Sequence, residues 1–247
     1  TLARGRSNNI ALVLTRPHRQ VFIDEYIPSI LTGLSEVTQK HGFRVMVELT
    51  SDAAASEAYD SLIRGNEIAG MIVNSRALSD IRPIVMHARE RFPIVTLREI
   101  HPDVHSVMVE KLDGTRALIE HLIRLGHKRI ACISYAKPDH SHALERLDVY
   151  RKALADAGIG YDEALVRFGA YDPDTGYEAA KSLLAGERFS AVYAMNDVMA
   201  FGAITVIQEA GLRVPEDIAV VGFDDIRLAR YCTPPLTTVH EPDIEQG

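Results

Sequence analysis

Short apolar runs rich in β-branched residues alternate along the chain with longer stretches in which apolar positions recur every three to four residues. The first pattern is typical of buried strands and the second of amphipathic helices. The short runs predict strands at residues 10–14, 45–49, 71–73, 94–97, 130–134, 165–168, 191–195 and 218–223. The longer stretches predict helices at residues 26–40, 53–64, 81–91, 114–125, 146–157, 176–184 and 198–210.

This alternation predicts an α/β protein, because strands that are apolar throughout belong to parallel sheets covered by helices on both faces. The strand–helix rhythm runs to about residue 109 and starts again near residue 113. We therefore predict two doubly wound, Rossmann-like parallel-sheet subdomains with a ligand cleft between them. Glycines that follow predicted helices, such as Gly126 and Gly211, mark the helix ends, since glycine accepts the left-handed conformation found there.

Composition and charge narrow the function classes. The 247 residues are 47% hydrophobic and 25% charged, as in ordinary globular proteins, and 27 basic against 34 acidic residues give a net charge of −7. A surface of that sign repels phosphate, so this stretch alone is a poor DNA binder. Cys132 and Cys232 are interpreted as free thiols in a reducing compartment. With neither a signal peptide nor a membrane span recognisable, we predict a cytoplasmic protein without membrane contact.

The motifs of the common enzyme classes are missing from the sequence. It contains no glycine-rich phosphate loop and no Gly-x-Ser-x-Gly elbow. The contiguous run Asp-His-Ser-His at residues 139–142 cannot fold back into a catalytic triad, which needs partners from separate segments. Histidine pairs at 140/142 and 101/105 lack further ligands at metal-binding spacing. We therefore predict no catalytic residue, no metal and no cofactor.

Arg146 is the most informative single residue for ligand binding. It falls in what the pattern predicts to be the first turn of a helix, where a cation opposes the helix dipole by a few tenths of a kcal/mol. A ligand that offers paired hydroxyls or a carboxylate to the guanidinium would offset this cost. The alternative is that Arg146 turns to solvent or to Glu145.

Other polar residues of the second half follow predicted strands. Asn196 ends one strand and is expected to face a ligand, while Asp197 is expected to be the N-cap of the next helix. Asp224 and Asp225 follow another strand, and we expect one to be a cap and the other to face a ligand, with Asp224 favoured.

The first half offers equivalent positions. Arg16, Asn74 and Arg98 follow predicted strands, and Asp24 and Tyr26 open the first long helix. Each could reach a ligand, although each is alternatively an ordinary loop residue, and Asp24 is an equally good helix cap. Acid, amide and guanidinium groups that converge from different strand ends would form a site for a polar small molecule.

A sugar is the first choice of ligand, because these three groups together satisfy vicinal hydroxyls. A purine or a sugar phosphate is the alternative. The chain has no tryptophan, so Tyr171, Tyr26 or Phe223 would have to supply a stacking surface.

Several segments resemble the lactose/galactose-repressor (LacI/GalR) family. Arg-Ser-Asn-Asn-Ile-Ala-Leu-Val resembles the junction into the family's core, and Asp-Gly-Thr-Arg with the following Glu-His-Leu-Ile and Leu-Gly-His resembles its crossover into the second subdomain. Glu-Arg-Leu is similar to its effector-contact segment. Ala-Met-Asn-Asp-Val-Met-Ala, Arg-Val-Pro-Glu-Asp-Ile, Val-Val-Gly-Phe-Asp-Asp and Pro-Pro-Leu-Thr-Thr-Val resemble its later motifs. In order, these segments lie at residues 6–13, 113–116, 120–123, 125–127, 145–147, 194–200, 213–218, 220–225 and 234–239.

The resemblance implies a periplasmic-binding-protein-like core. Its N-terminal subdomain would span residues 1–111 with 239–247 returning to it, and its C-terminal subdomain residues 112–238. It further implies a homodimer, a small-molecule effector, and operator DNA bound through an N-terminal helix-turn-helix headpiece that is absent from this chain. We also expect residues 1–6 to be the tail of the hinge that joins the two.

The resemblance also assigns residues. Arg146, Asn196 and Asp224 match effector contacts of the family, and Phe223 matches a position beside the ligand. Lys111 departs from the family, in which many members carry Asp-Asn at 110–111. We expect this lysine either to favour an anionic ligand or to bridge to Glu110.

We therefore predict the effector-binding and dimerisation core of a DNA-binding transcriptional repressor that responds to a small polar ligand. The effector would bind one arrangement of the subdomains better than another and so shift the DNA affinity. The alternative is a solute-binding protein of a sugar transporter, which a secretion signal upstream would indicate. An enzyme on a doubly wound sheet is the third hypothesis, with no motif in its favour.

Overall fold

The computed structural model describes residues 7–15, 25–75, 81–97, 101–109, 111–135 and 141–247. The chain divides into two compact units, Thr1–Val109 with Pro242–Gly247 and Glu110–Glu241. Each unit is built around its own sheet, and the two are described in turn.

The described elements follow the predicted alternation of strands and helices. Up to residue 109 they are β1 (Asn9–Thr15), α1 (Tyr26–Lys40), β2 (Arg44–Thr50), α2 (Ala55–Arg64), β3 (Gly70–Ser75), α3 (Arg82–Arg89), β4 (Ile94–Leu97) and β5 (His105–Val107). Then come α4 (Leu112–Arg124), β6 (Ile130–Ser134), α5 (Ser141–Asp156), β7 (Val166–Phe168), α6 (Pro173–Gly186), β8 (Ala191–Ala194), α7 (Asp197–Glu209), β9 (Ala219–Val221) and α8 (Asp243–Gln246).

The sheet of the first unit has the strand order β2-β1-β3-β4-β5, and each neighbouring pair is parallel. Side chains alternate across β1. Ala11 and Val13 pack in the cluster that holds the buried residues of α2 and α3, whereas Leu12 and Leu14 pack against α1. Both faces of β1 are therefore buried, which explains why its residues 10–14 are all apolar.

The short helix α8 packs on α1 at a glycine. A Cβ atom at Gly33 would collide with the carbonyl oxygen of Ile244 and lie 3.1 Å from the Cα atom of Gly247. The absence of a side chain at Gly33 therefore lets the two backbones approach. The apolar pattern did not predict α8, since four residues are too few to show a helical period.

The sheet of the second unit has the order β7-β6-β8-β9 and is also parallel throughout. Because β7 lies on one side of β6 and β8 on the other, right-handed crossovers place α5 and α6 on opposite faces of the sheet. Accordingly α4 packs with α5, and α6 packs with α7. All residues of β6 and β8 are buried. The predicted α/β class with two helix-covered parallel sheets is confirmed.

The strand order reverses between β1 and β3 in the first sheet and between β6 and β8 in the second. In doubly wound sheets, ligands bind beyond the carboxyl ends of the strands at such a reversal. The positions of interest are therefore those that follow β1 and β3 in the first unit, and β6 and β8 in the second.

Several element boundaries differ from the prediction, and one short strand was missed. Helix α5 begins at Ser141 rather than at residue 146, because its first residues are polar and the apolar period shows only later. Arg146 consequently lies in the second turn, and the expected conflict with the helix dipole does not arise. Strand β9 is limited to Ala219–Val221, and β5 was missed because its three residues are not buried.

Helices α6 and α7 pack at backbone contact. A Cβ atom at Gly202 in α7 would collide with the carbonyl oxygen of Pro173 and lie 2.6 Å from the amide nitrogen of Tyr177, both in α6. No atom of the described residues lies within 4 Å of the corresponding atom at Gly186, the last residue of α6. The two glycines therefore form a matched pair for testing this packing.

We expect Gly202→Ala to lower the free energy of unfolding by about 1–3 kcal/mol or more, because backbone atoms have no rotamer through which to yield. Gly186→Ala should leave it unchanged or raise it slightly. Urea denaturation of both variants and the parent chain measures the difference. Equal midpoints for the two variants would contradict the close approach of α6 and α7.

Candidate ligand site

Arg146 is held inside the second unit by protein groups. Its residue is 6% exposed, and Nη1 donates a hydrogen bond of 2.8 Å to the carbonyl oxygen of Met195, which follows β8. Nη2 donates to Oε1 of Glu241 at 2.8 Å. The alternative in which Arg146 turns to solvent or to Glu145 is wrong, since the guanidinium faces the carboxyl end of β8.

An aromatic ring covers the guanidinium. Its Cζ atom lies 3.7 Å from the ring centroid of Phe223, which is fully buried, and 5.5 Å from that of Tyr135. A cation over an aromatic face is attracted by the ring quadrupole. Burial by itself lowers the pKa of Arg146, but the neighbouring tyrosines and carboxylates raise it above its ordinary value. Arg146 is therefore a permanent buried cation.

Glu241 joins a second cation to this group. Its side chain is 3% exposed, and while Oε1 accepts from Arg146, Oε2 accepts from Nζ of Lys111, whose side chain is 14% exposed. Glu110 lies outside the described residues, and in the described part of the chain the carboxylate paired with Lys111 is Glu241. The sequence interpretation missed Glu241, although a buried lysine at 111 signals the need for a counter-ion.

Asp224 adds a second carboxyl group next to this ion pair. Burial and the charge of Glu241 raise its pKa well above the ordinary range, and Arg146 opposes that rise. Its backbone has φ of +108°, a region that side chains other than glycine adopt at a cost of about 1–3 kcal/mol. Such strain persists only where the surrounding structure imposes it. Here the amide nitrogen of Asp224 donates to the carbonyl oxygen of Val239 at 3.0 Å.

The expectation that Asp224 or Asp225 caps a helix is wrong. The 3₁₀ turn that follows, Arg227–Arg230, has Ile226 at its N-cap and no side-chain capping bond. Asp225 instead lies 3.1 Å from Nδ1 of His240. Asp225 also has a positive φ, of 54°.

The expectation that Asp197 caps α7 is wrong, because Asn196 takes that position. Asn196 is the N-cap of α7, and its Oδ1 accepts from the amide nitrogen of Met199 at 2.9 Å. Asp197 is the first residue of the helix and is fully buried. Its carboxylate accepts from the amide nitrogen of Ile226 at 2.9 Å and from the hydroxyl of Thr238 at 2.6 Å.

Gly222 makes room for the carboxylate of Asp197. A Cβ atom at Gly222 would collide with Oδ1 of Asp197 and lie 2.7 Å from a methyl carbon of Leu236. The Val-Val-Gly-Phe-Asp-Asp segment thus carries a glycine where the buried carboxylate passes, followed by Phe223 and Asp224 of the Arg146 cluster.

Tyr171 extends the aromatic side of the cluster. Its ring centroid lies 4.3 Å from that of Tyr135, the residue that follows β6, and its φ is 53°. Tyr135 and Glu241 therefore join a cluster that contains Arg146, Phe223, Asp224 and Lys111, and Tyr171 is reached through Tyr135. Asn196 directly follows Met195, whose carbonyl binds Arg146.

Two of the first-unit candidates lie in contact. Nδ2 of Asn74 donates to the hydroxyl of Tyr26 at 2.7 Å, and that hydroxyl donates to Oε1 of Gln246 at 3.3 Å. All three residues are buried. Thr15, at the carboxyl end of β1, has a buried hydroxyl for which the described residues supply no hydrogen-bond partner. The remaining candidates, Arg16, Asp24 and Arg98, lie outside the described residues.

The first unit also contains an apolar pocket of about 350 Å³. Its lining includes Leu34 and Val37 of α1 together with Ile10 and Gly70, which stand near the amino ends of β1 and β3. It therefore lies at the opposite ends of these strands from Thr15 and Asn74. Its lining offers little to a polar ligand.

Metal and membrane hypotheses gain no support. Within the described ranges, no three His, Cys, Asp or Glu side chains are placed to hold a metal ion. The same ranges contain no helix with the length and apolarity that crossing a membrane requires. Cys132 and Cys232 are both free.

Comparison with known proteins places the chain among transcriptional regulators. The family model of the periplasmic-binding-protein-like domain matches residues 119–246. The chain is 32% identical to the helix-turn-helix-type transcriptional regulator CelR of Thermobifida fusca, over all of this chain and 74% of CelR. It is 29% identical to the helix-turn-helix-type transcriptional repressor PurR of Haemophilus influenzae, over 90% of this chain and 67% of PurR.

Solved structures agree. A complex of the transcriptional regulator CelR with cellobiose superposes with a TM-score of 0.86 at 32% identity, covering 97% of this chain and 74% of that one. A LacI-family sugar-binding regulator from Escherichia coli, solved with phosphate, gives a TM-score of 0.85 at 29% identity, with 98% and 87% covered. The predicted periplasmic-binding-protein-like fold is confirmed.

The buried carboxyl of Asp197 predicts a pH-dependent stability. Burial is the main cause that raises its pKa from 3.8 to about 7. The folded state therefore holds a proton between pH 4 and 7 that the unfolded chain has lost, so stability decreases as the pH rises through this window. The decrease amounts to about 4 kcal/mol at most.

Asp197→Asn should remove this pH dependence. The amide can still accept from the Ile226 nitrogen, and its NH2 group can donate to the Thr238 hydroxyl. Melting temperatures at pH 4, 5, 6 and 7 should fall less steeply for Asp197→Asn than for the parent chain. Asp217→Asn, at an exposed salt bridge, serves as the control. Parallel curves for parent and Asp197→Asn would show that Asp197 ionises normally.

Proposed function

This chain belongs to the LacI family of helix-turn-helix transcriptional regulators, and from that premise we propose that its Arg146 cluster binds an uncharged, hydroxyl-rich effector, most simply a sugar. The observation that carries the proposal is the convergence of three polar groups at the carboxyl ends of neighbouring strands. Arg146 reaches the end of β8, Asn196 follows β8, and Asp224 lies three residues after β9. This is where doubly wound sheets bind ligands.

The chemistry of the cluster suits hydroxyl groups. Arg146 and the NH2 group of Asn196 donate hydrogen bonds, and the carboxyl of Asp224 accepts or, when protonated, also donates. A hydroxyl group both donates and accepts, so adjacent hydroxyls of a sugar can satisfy all three side chains. The aromatic rings of Phe223, Tyr135 and Tyr171 offer apolar surface beside them.

The relatives support a sugar over the other ligand classes. CelR was solved with cellobiose, and the Escherichia coli regulator is described as sugar-binding. We accordingly propose a saccharide for this chain, with a purine or a sugar phosphate as the alternatives that a ligand screen would identify.

The same proposal covers the partners. The net charge of −7 disfavours DNA contact by this core, so operator DNA would be bound by a helix-turn-helix headpiece of the kind for which CelR and PurR are named. The core would act in the cytoplasm as a homodimer and would leave its effector chemically unchanged. A coupling of about 1–3 kcal/mol between effector and operator would change DNA affinity roughly 5–150-fold.

Asp224→Asn provides the sharpest test, with Asp225→Asn as its matched control. Asparagine tolerates the positive φ found at both positions. Asp224 faces the Arg146 cluster, whereas Asp225 pairs with His240 and Arg230. Both substitutions replace a carboxyl group by an amide at adjacent residues, so a difference in ligand binding between them reports the position of the group that was changed.

Thermal shift with a panel of sugars that includes cellobiose should identify a ligand. At 100 times its dissociation constant, that ligand should add about 2.7 kcal/mol to stability, or roughly 5–10 °C. We expect Asp224→Asn to weaken binding of that sugar by at least about tenfold, or 1.4 kcal/mol. Without ligand at pH 7, its melting temperature should be no lower than that of the parent, because burial disfavours the ionised form of the Asp224 carboxyl and the amide that replaces it is neutral. Equal sugar affinities for the two variants would refute this site.

A further inference from the structure

Glu241 places its carboxylate between two cations inside the cluster that the effector would contact. Its two carboxylate oxygens are divided between two cations, Oε1 with Arg146 and Oε2 with Lys111. All three side chains are buried or nearly so, with exposed side-chain fractions of 3% for Glu241, 7% for Arg146 and 14% for Lys111. In such surroundings, charges are weakly screened and unpaired ones are strongly disfavoured.

This arrangement already occupies the groups that an anionic ligand would need. A phosphate or carboxylate seeks a guanidinium or an ammonium group, and here both face Glu241. To bind them, an anion would have to displace Glu241 and leave its carboxylate buried beside Asp224, whose pKa Glu241 already raises. A neutral hydroxyl can instead add to the donors and lone pairs that remain, without separating any ion pair.

We propose that Glu241 is a specificity-determining residue that makes the site select uncharged hydroxylated ligands and reject phosphate and carboxylate ligands. The inference rests on the proposed function for the position of the effector, and it defines the charge class that this position accepts. Lys111 then serves as the partner of Glu241 and not as a receptor for a ligand anion. Arg146 or Lys111 alone would attract an anionic ligand. The carboxylate of Glu241, which both cations share, cancels this attraction.

Glu241→Gln tests the proposal, because glutamine keeps the shape and removes the charge. Inorganic phosphate is the probe, measured by isothermal titration calorimetry at constant ionic strength. Asp156→Asn is the control, since it removes one negative charge from an exposed salt bridge with Arg116 in the same unit. Circular dichroism and melting temperature establish that each variant is folded.

We expect Glu241→Gln to bind phosphate at least about tenfold more tightly than the parent chain, a gain of 1.4 kcal/mol. Asp156→Asn should bind phosphate no more tightly than the parent. The proposal is overturned if folded Glu241→Gln gains nothing, if the parent binds phosphate equally well, or if Asp156→Asn gains as much.

A double variant guards against a folding defect. Glu241→Gln with Lys111→Met removes one charge of each sign, so the net charge of the cluster is unchanged while Arg146 loses its carboxylate partner. It should still bind phosphate more tightly than the parent, though less tightly than Glu241→Gln alone. No gain in this folded double variant would also overturn the proposal.

The two proposals can fail separately. A parent chain that binds no sugar, together with a phosphate gain in Glu241→Gln, would refute the sugar effector and leave the charge selection standing. A parent chain that binds sugar, together with no phosphate gain, would do the reverse.

Discussion

The second unit depends on one buried cation. Arg146 is almost wholly buried, so protein groups must supply most of the hydrogen bonds and the counter-charge of its guanidinium. They come from three directions: the carbonyl of Met195 at the end of β8, the carboxylate of Glu241 and the face of Phe223. Meeting the needs of one side chain therefore fixes α5, the end of β8 and the two segments after β9 in relation to one another.

The buried carboxyl groups near Arg146 also lower the stability of the unit. Asp224 combines a left-handed backbone with a carboxyl whose pKa burial raises, and Asp197 beside it is a second carboxyl that burial disfavours. A domain selected only for stability would replace such groups by apolar ones. Both groups lie at the carboxyl ends of the strands, where the proposed effector site is located.

The sequence predicted those features that depend on neighbouring residues and missed those that depend on residues far apart in the chain. Strands such as β1 and β6 were predictable because a strand that is buried on both faces needs apolar residues at consecutive positions, which the sequence shows directly. That Asn196 and not Asp197 caps α7 was not predictable, since both residue types cap helices well and only the extended backbone of Asn196 decides between them. Glu241 was missed because its partner Lys111 is 130 residues away, beyond the reach of any local pattern.

The ion pair between Lys111 and Glu241 has a consequence for the architecture of the chain. The second unit runs from Glu110 to Glu241, so the pair joins residues at its two ends. The chain thus comes into the unit and goes out of it at one place, whereas the first unit is assembled from two separate stretches of sequence. Adjacent termini are what allow one domain to be inserted into another, or to be circularly permuted, without rerouting any strand. The unit Glu110–Glu241 is therefore a continuous insertion between Val109 and Pro242 of the first unit, and the Lys111–Glu241 salt bridge links its two ends.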